Sequence, residues 1–482
     1  MRRTKLVCTI GPASRYRIDE LVAAGMDVAR LNFSHGAPAQ HRASCARVRA
    51  AADAAGRHVA VLADLPGPKI RLTDLPGGQL ELATGASFWL GPDYPRGAPG
   101  EHAGTTYPHL VDDLRPGDRV MLADGAVELR VASVQPGWVE SEVVRGGKVR
   151  SGAGVNVPSE RLSLPAVTDR DRAALRAVLT MDVDFVAQSF VRSADDVREL
   201  RRAMGRGARP IVAKLETRAA IEHLEDLLAV VQGVMLARGD LGVELPFAEV
   251  PIIQKQVIGA CVASGIPVIV ATQMLESMVS APRPTRAEAS DAANAVLDGA
   301  DAVMLSAETA IGDYPVLAAG AAAAICETAE RQGEAFGQRH EVRASPEESE
   351  PAAVAHAAVA LARQLSEPAV SAIACFTQTG LTARLLAALR PAVTIHALTP
   401  DAVVARRLAL WRGVAPIATR VPGDTDDLIA LVEGALPDAG VPAGSLVVIA
   451  GSIPFGKARS NFVKLHRLPD GGEAPSATPH PI

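Results

Sequence analysis

Eight short apolar runs, most of them followed by a helical pattern, constrain the fold of this chain most strongly. Runs of this kind are typical of strands that are buried on both faces of a parallel sheet. Eight such units in succession predict a (β/α)8 barrel of the TIM type, whose functional side chains collect at the carboxyl ends of the strands. The runs are KLVCTIG (5–11), VARLNFS (28–34), HVAVLAD (58–64), DFVAQSF (184–190), PIVAKLE (210–216), GVMLARGD (233–240), PVIVATQ (267–273) and AVMLSAE (302–308).

Two further regions interrupt and follow this repeat. From Leu72 to about Val157, alternating segments divided by Gly and Pro turns predict an inserted antiparallel β-barrel domain that acts as a lid. Beyond a polar linker, new strand and helix patterns predict a C-terminal α/β three-layer domain. We therefore expect a first barrel part (1–71), the β lid (72–157), a second barrel part (158–340), a linker (341–352), the C-terminal domain (353–470) and a flexible tail (471–482).

Composition and charge exclude several classes of function. The net charge of −5 over 482 residues provides no basic field for nucleic acid. The five cysteines are scattered without paired spacing, which indicates buried thiols and not disulfides or a zinc site. There is no secretory leader pattern and no membrane-length apolar run. We therefore expect a cytoplasmic protein without nucleic-acid or membrane partners.

Charged and polar residues lie where the predicted barrel strands end. Glu216 and Asp240 follow the fifth and sixth runs, and two such carboxylates suit Mg²⁺ or Mn²⁺. Lys214 and Arg30 supply positive charge for a phosphate, and Gly239 lets the backbone approach a ligand closely. Structural ion pairs are the ordinary alternative for one such residue. The presence of so many charged and polar residues on successive strand ends instead favours a site for an anion and a metal ion.

Other functions fit parts of this pattern. We call the carboxyl ends of the barrel strands the rim. A carbon–carbon lyase could use the same rim residues, either with a metal ion or with Lys214 as a Schiff-base lysine. A non-catalytic sensor of a phosphate ligand is a second alternative. The segment GSIPFGKA (451–458) has the spacing of a nucleotide P-loop, but Ala458 replaces the Ser or Thr that binds Mg²⁺, and the residues after it alternate like a strand. We therefore reject a P-loop at this position.

Several motifs resemble the pyruvate kinase family. They occur in family order, and the resemblance spans about residues 3–468. It implies phosphoryl transfer from phosphoenolpyruvate to ADP, which gives pyruvate and ATP. A lyase would need neither a nucleotide clamp nor a large lid. The matching segments are TKLVCTIGPAS, RLNFSHG, DFVAQSFVRSADDV, AKLE, LARGDLGVELP, ATQMLESM, PRPTRAEASDAANAVLDGADAVMLSAETA and GDYP.

The resemblance also implies roles for individual residues and a homotetrameric assembly. It gives catalytic roles to Lys214, Thr272 and Arg30, and a divalent metal ion to Glu216 and Asp240. Phosphoenolpyruvate would contact Arg30, Gly239, Asp240 and Thr272. The nucleotide would contact Asn32, Phe33, Ser34, His35 and Arg71. Ala153 stands where the family commonly has a lysine that reaches the nucleotide from the lid, so that contact is lost or moved.

The segment DLPGPKIR (64–71) departs from the family pattern at Lys69. Family members that need K⁺ have a glutamate there, and the ion lies among residues that correspond to Asn32, Ser34, Asp64 and the carbonyl of Leu65. We hypothesise that the Lys69 ammonium replaces the potassium ion, because it carries the same charge and the prolines hold it near the same oxygens. An exposed turn lysine is the alternative.

The C-terminal domain contains a candidate site for a phosphorylated effector. Hydroxyl groups of TQTGLT (377–382) open a predicted helix, whose free N–H groups favour an anion, and the loop 451–459 brings cationic side chains. The family often binds a sugar phosphate there, whereas an ordinary surface loop is the alternative. The candidate residues are Thr377, Thr379, Thr382, Lys457 and Arg459.

Overall fold

The first three βα units of a barrel open the chain. The computed structural model describes residues 2–93, 100–158, 162–332, 348–365, 367–452 and 460–470. All residues of the first three strands are buried except Asn32, as continuous apolar runs predict. The elements are β1 (Lys5–Thr9), α1 (Ile18–Ala23), β2 (Val28–Asn32), α2 (Pro38–Ala54) and β3 (Ala60–Asp64).

A small β domain follows β3 and has its own apolar core around Phe88, Leu90 and Tyr107. Its elements are β4 (Gln79–Leu82), β5 (Ser87–Pro92), β6 (His102–Thr105), α3 (Leu110–Asp113), β7 (Arg119–Leu122), β8 (Val127–Gln135), β9 (Trp138–Arg145), β10 (Gly147–Arg150) and β11 (Val155–Asn156). Six strands form one sheet in the order β11-β7-β8-β9-β5-β6, and β10 pairs with β4. The pairs are antiparallel except β5 with β6, which is parallel.

The remaining strands close the barrel in the order β1-β16-β15-β14-β13-β12-β3-β2, which confirms the predicted fold. Most strands end before their apolar run does, because the last residues of the run turn into the loops of the rim. The elements are α4 (Asp169–Val178), β12 (Phe185–Gln188), α5 (Ala194–Met204), β13 (Ile211–Leu215), α6 (Arg218–Glu222), α7 (Leu224–Leu228), β14 (Gly233–Ala237), α8 (Arg238–Glu244), α9 (Val250–Ala263), β15 (Val268–Ala271), α10 (Arg286–Leu297), β16 (Ala302–Leu305), α11 (Ala307–Ala310) and α12 (Pro315–Gln332).

A five-stranded sheet with helices forms the C-terminal domain, as predicted. Its strand order is β19-β18-β17-β20-β21, parallel except for β21. The elements are α13 (Ser349–Gln364), β17 (Val370–Phe376), α14 (Leu381–Ala388), β18 (Thr394–Thr399), α15 (Ala402–Leu408), β19 (Val414–Ala418), α16 (Thr425–Asp438), β20 (Leu446–Gly451) and β21 (Phe462–Arg467). Within the described ranges, no helix has the length and hydropathy to cross a membrane.

Ion pairs attach the C-terminal domain to the amino ends of the barrel strands. Arg390 binds Asp301, just before β16, at 2.7 Å, and Arg406 binds Asp184, just before β12, at 2.9 Å. The Lys5 ammonium, at the start of β1, donates to the carbonyl of Val414 at 2.7 Å. The domain therefore packs against the end of the barrel that is opposite the rim. All five cysteines are buried and free, which confirms their expected state.

Candidate active site

A buried lysine lies at the centre of the rim. Lys214 ends β13, and its ammonium donates to the Ser189 hydroxyl at 2.7 Å. It lies 2.9 Å from Oε1 of Glu216 and 3.4 Å from Oδ1 of Asp64. Burial lowers the pKa of Lys214, but attraction to Asp64 and Glu216 outweighs it and holds that pKa above the ordinary value. The lysine is therefore cationic and fixed in position.

Asp64 connects this lysine to a second cation. The Arg30 guanidinium donates through Nε to Oδ2 of Asp64 at 2.7 Å, and through Nη1 to the Thr9 hydroxyl at 3.0 Å. Burial raises the pKa of the Asp64 carboxyl, but Lys214 and Arg30 together hold it below its usual value. One carboxylate thus keeps two cations side by side at the carboxyl ends of β2 and β13.

The two carboxylates predicted to hold a metal ion are Glu216, which contacts Lys214, and Asp240, which contacts Lys69. Glu216 is 2% exposed, and its Oε2 accepts from the Phe190 N–H at 2.7 Å. Burial raises its pKa, and repulsion from Asp240 adds to this rise, while Lys214 opposes it. Asp240 lies in the first turn of α8 and is partly exposed. Two acids that repel each other across a short distance are a favourable environment for a divalent cation.

The residues present fit a hard metal ion that is bound mainly by other oxygens. In the parts of the chain that the structure describes, no three His, Cys, Asp or Glu side chains gather as a metal site. The chain therefore offers the pair Glu216 and Asp240, and the remaining ligands would be substrate and water oxygens. This is the usual arrangement for Mg²⁺, which retains several ligands from outside the protein.

Backbone geometry presents the Thr272 hydroxyl to the site. Thr272 and Gln273 follow β15 with φ of 68° and 55°, a left-handed conformation that non-glycine residues adopt at a cost of about 1–3 kcal/mol. The Thr272 hydroxyl accepts from the Gly239 N–H at 2.8 Å. A Cβ at Gly239 would lie 3.5 Å from that hydroxyl oxygen, so the glycine keeps the adjacent space open.

The residues predicted to bind the nucleotide follow β2. The Asn32 amide oxygen accepts from the Ser34 N–H at 3.0 Å, and the Phe33 ring stacks on His41 with centroids 4.2 Å apart. His35 is exposed. Arg71 instead donates to the Gly152 carbonyl at 2.9 Å. The structure thus brings Asn32, Phe33, Ser34 and His35 together, and it holds Arg71 against the β domain.

The Lys69 side chain contacts two carboxylates, Asp240 on α8 and Asp124 in the β domain. Its ammonium donates to Oδ1 of Asp240 at 3.0 Å and to Oδ1 of Asp124 at 3.4 Å. Burial lowers the pKa of Lys69, but these two carboxylates hold it above the ordinary value.

Within the described residues, none of the hydrogen bonds of Lys69 reaches Asn32, Ser34, Asp64 or the Leu65 carbonyl. The physical reason is charge balance. Asp64 already has two cations, whereas among the described residues Asp240 has Lys69 alone.

Sequence reasoning did not assign roles to Ser189, Thr9 and Asp124. Ser189 donates to the Leu65 carbonyl at 2.8 Å while it accepts from Lys214. Its position at a strand end was a signal, but its two partners come from other strands. Asp124 lies in the β domain and meets Lys69 only in the folded chain. No sequence pattern could indicate that contact.

The candidate effector residues are only partly within the described chain. The Thr377 hydroxyl accepts from the Gly380 N–H at 2.9 Å, and the hydroxyls of Thr382 and Ser460 lie 2.5 Å apart. Thr379 is exposed. Lys457, Arg459 and the loop at 453–459 lie outside the described residues.

These observations define a class of protein. A closed parallel barrel with a charged lysine, an arginine and two carboxylates at the carboxyl ends of its strands is the architecture of a (β/α)8-barrel enzyme.

Comparison with known proteins gives the particular family. The family model for the pyruvate kinase barrel domain matches residues 1–319, and the model for the pyruvate kinase alpha/beta domain matches residues 352–466. The chain belongs to the pyruvate kinase family, and it is an enzyme with pyruvate kinase function.

Curated relatives support this assignment over nearly the whole chain. A pyruvate kinase of Geobacillus stearothermophilus is 41% identical over 97% of this chain and 81% of its own length. One from Corynebacterium efficiens is 42% identical over 98% of this chain and 99% of its own. One from Mycobacterium tuberculosis is 42% identical over 97% of this chain and 98% of its own length.

Proposed function

We propose that this enzyme transfers the phosphoryl group of phosphoenolpyruvate to ADP at the barrel rim, with Mg²⁺ or Mn²⁺ required. The observation that carries the proposal is the Lys214 ammonium, buried and held in contact with Glu216, Asp64 and Ser189. A transferring phosphoryl group is loose and anionic, so catalysis depends on positioning and on charge neutralisation. The function therefore needs fixed cations, and Lys214 is one.

Lys214 would stabilise negative charge at two stages. It would contact the phosphoryl group in flight and then the enolate oxygen that remains. Because its position is fixed by three protein oxygens before substrate binds, little reorganisation accompanies the movement of charge. Arg30, fixed by Asp64 and Thr9, would bind the phosphate in the same way.

Glu216 and Asp240 would hold the divalent ion. When bound, that ion would neutralise phosphate and carboxylate charge and polarise the enol oxygen. Lys69, which now donates to Asp240, would have to share or leave that carboxylate. The Gly239 N–H and the Thr272 hydroxyl would bind the substrate carboxylate, and Thr272 would lie near the path of the proton that converts enolate into pyruvate.

The β domain would close over the site as a lid and exclude water, and residues 32–35 would contact the nucleotide phosphates. Contacts of this domain with Lys69 and Arg71 support the proposal, because they link it to the rim. The division of the chain into residues 1–71, 72–157, 158–340, 341–352, 353–470 and 471–482 belongs to the same proposal.

Lys69 would supply the monovalent positive charge for which related enzymes use K⁺. Its raised pKa and its contact with Asp240 support this role, although its partners differ from the expected pocket oxygens. Activity would then be independent of K⁺. The test is turnover in K⁺-free buffer with a bulky organic counter-ion, and a many-fold rise on addition of K⁺ would exclude the role.

Turnover coupled to lactate dehydrogenase, with phosphoenolpyruvate, ADP and Mg²⁺, tests the reaction. Pyruvate formation that requires both ADP and the metal ion is expected. Borohydride treatment in the presence of pyruvate tests the lyase alternative. Covalent labelling of Lys214 would show a Schiff base and contradict the electrostatic role.

Regulation, assembly and location complete the proposal. Thr377, Thr379, Thr382, Lys457 and Arg459 would form the site for a phosphorylated effector, and the enzyme would be a cytoplasmic homotetramer. The 2.5 Å contact between Thr382 and Ser460 supports the site, because it brings α14 next to the segment after the loop 453–459. Calorimetry with fructose bisphosphate, ribose phosphate, glucose 6-phosphate and AMP tests the site. If none of these compounds produces heat of binding, the effector site is excluded.

Sedimentation tests whether the enzyme is a tetramer.

A further inference from the structure

A cavity of about 270 Å³ separates the amino ends of the barrel strands from the C-terminal domain. Phe185 and Gln232 contribute to it from the barrel, and Arg384, Arg407 and Trp411 contribute from the C-terminal domain. Its volume is close to the lower limit for small-molecule sites, which is roughly 300 Å³. The space therefore suits a compact metabolite.

Two arginines line this cavity without hydrogen-bond partners for their side chains. In the described chain, neither Arg384 nor Arg407 donates a side-chain hydrogen bond, and Nε of Arg407 is fully buried without an acceptor. Burial lowers the pKa of both guanidinium groups. Both side chains are partly buried, and a partly buried cation without a partner is unfavourable, so an anion in this cavity would stabilise the fold.

The carboxylates around Arg407 are already bound to other groups. Asp184 accepts from Arg406 at 2.9 Å and from Arg49 at 2.6 Å. Asp401 caps α15, where it accepts from the Val403 N–H at 2.7 Å. No acid of the described chain therefore neutralises Arg407 by direct contact. Among the described residues, Glu348 is the acidic neighbour that influences Arg384, and the two side chains do not form a salt bridge.

The aromatic residues of the cavity indicate the character of the rest of the ligand. Phe185 and Trp411 lie with ring centroids 6.4 Å apart, and the buried indole N–H of Trp411 has no acceptor among the described residues. We propose that this cavity binds a small anionic metabolite, with its phosphate or carboxylate group on Arg384 and Arg407 and its less polar part against Phe185 and Trp411.

This cavity adjoins the proposed effector residues, because Thr379 lines it, but Thr382 lies on another face of α14. Thr382 and Arg384 are two positions apart on α14, which places them about 200° apart around the helix. Thr382 contacts Ser460, whereas Arg384 lines the cavity. A ligand in the cavity would contact the barrel directly. Phe185, the first residue of β12, lies four positions before Ser189, the partner of Lys214.

Calorimetry on the full chain tests the proposal with four probes, namely inorganic phosphate, glucose 6-phosphate, AMP and citrate. The first three carry phosphate and the last carries carboxylates, so the set separates the two anion classes. We expect at least one probe to bind, and the change R384M or R407M to weaken that binding about tenfold or more, as expected for the loss of a charge-assisted contact.

Matched changes locate the binding. R206M removes an exposed arginine in the turn Gly205–Gly207 and should leave this affinity unchanged, whereas T382V, on the opposite face of α14, distinguishes this cavity from the proposed effector residues. The melting temperature of R407M without ligand should equal or exceed that of the wild type, because the change removes a partly buried cation that has no partner in the described chain. If R407M does not fold, the affinity of R384M for the probe decides whether the cavity is the binding site.

Three results would overturn the proposal. The first is no heat from any probe at millimolar concentration. The second is wild-type affinity in both R384M and R407M. The third is an equal loss of affinity in T382V, which would assign the binding to the other face of the helix.

Discussion

The two ends of the barrel differ in how many of their charged side chains have oppositely charged partners. At the rim, Lys214, Arg30, Asp64 and Glu216 are buried, and each has at least one oppositely charged partner within 3.4 Å. At the opposite end, Arg390 and Arg406 are paired in the same way, but Arg384 and Arg407 have no charged partner in direct contact within the described chain.

This difference shows what each charge contributes. A paired group at the rim is fixed, and its removal leaves a buried partner uncompensated, which typically costs several kcal/mol. An unpaired group gives no such stabilisation to the free protein. A ligand that pairs with such a group would supply the missing interaction. The predictions below test each side of this comparison, from the largest expected effect to the smallest.

The change Lys214→Met should lower kcat by about 10³-fold, because it removes a preorganised cation from the site of charge development. It should also lower stability, since Asp64 and Glu216 lose a shared partner. Coupled turnover and thermal unfolding measure the two effects. Lys464→Met, at an exposed position on β21, is the control. Retention of more than a tenth of the activity would contradict the role of Lys214.

The change Glu216→Gln should weaken Mn²⁺ binding by about 100-fold, because it keeps the side-chain volume but removes one of the two ligand charges. Electron paramagnetic resonance of free Mn²⁺ measures the affinity directly and does not depend on turnover. Glu222→Gln, exposed on α6, should bind as the wild type does. Equal affinity in both variants would place the metal ion elsewhere.

The pKa of His396 is lowered by burial, with no neighbouring charge among the described residues offsetting the effect. Burial lowers its pKa to about 4, against an ordinary value near 6.5. The unfolded chain therefore takes up the proton first, so the free energy of unfolding should be constant above pH 6.5 and should fall as the pH decreases toward 4. The loss should be about 2 kcal/mol at pH 5.

Urea unfolding at several pH values measures this slope. His396→Asn should reduce it, whereas His356→Asn, at an exposed position on α13, should not. Equal slopes in the wild type and His396→Asn would show that this imidazole titrates normally.

The change Lys69→Glu should lower turnover in K⁺-free buffer by about tenfold and restore it when K⁺ is added, because the side chain no longer supplies the cation. The effect is the smallest of the four, since the Lys69 side chain is 26% exposed and solvent screens it. Turnover of Lys69→Glu that ignores K⁺ would mean that this position does not substitute for the ion.

How much of this could be predicted from the sequence depends on the range of the interactions. The eight barrel strands were predictable because each is a local apolar run, and Lys214, Glu216 and Asp240 were predictable because each lies at the end of such a run. In the β domain the sequence predicted alternating segments, but not every strand there alternates. FWLG is continuously apolar and does not alternate, and β6 is short.

Partners from distant segments were not predictable. The direction of Lys69 depends on which carboxylates already have cations, and Asp64 obtains its two from β2 and β13. The lack of partners at Arg407 follows in the same way from the pairing of Asp184 with Arg49 and Arg406. Such a balance of charges exists only after the chain has folded.

A crystal structure with Mn²⁺ and oxalate, an enolate analogue, tests the central claim most directly. We predict one metal ion bound by Glu216 and Asp240, with the oxalate against the Gly239 N–H and the Thr272 hydroxyl, and with the Lys214 ammonium beside it. A metal ion that contacts neither carboxylate, or an oxalate bound away from Lys214, would contradict the assignment of the rim as the site of phosphoryl transfer.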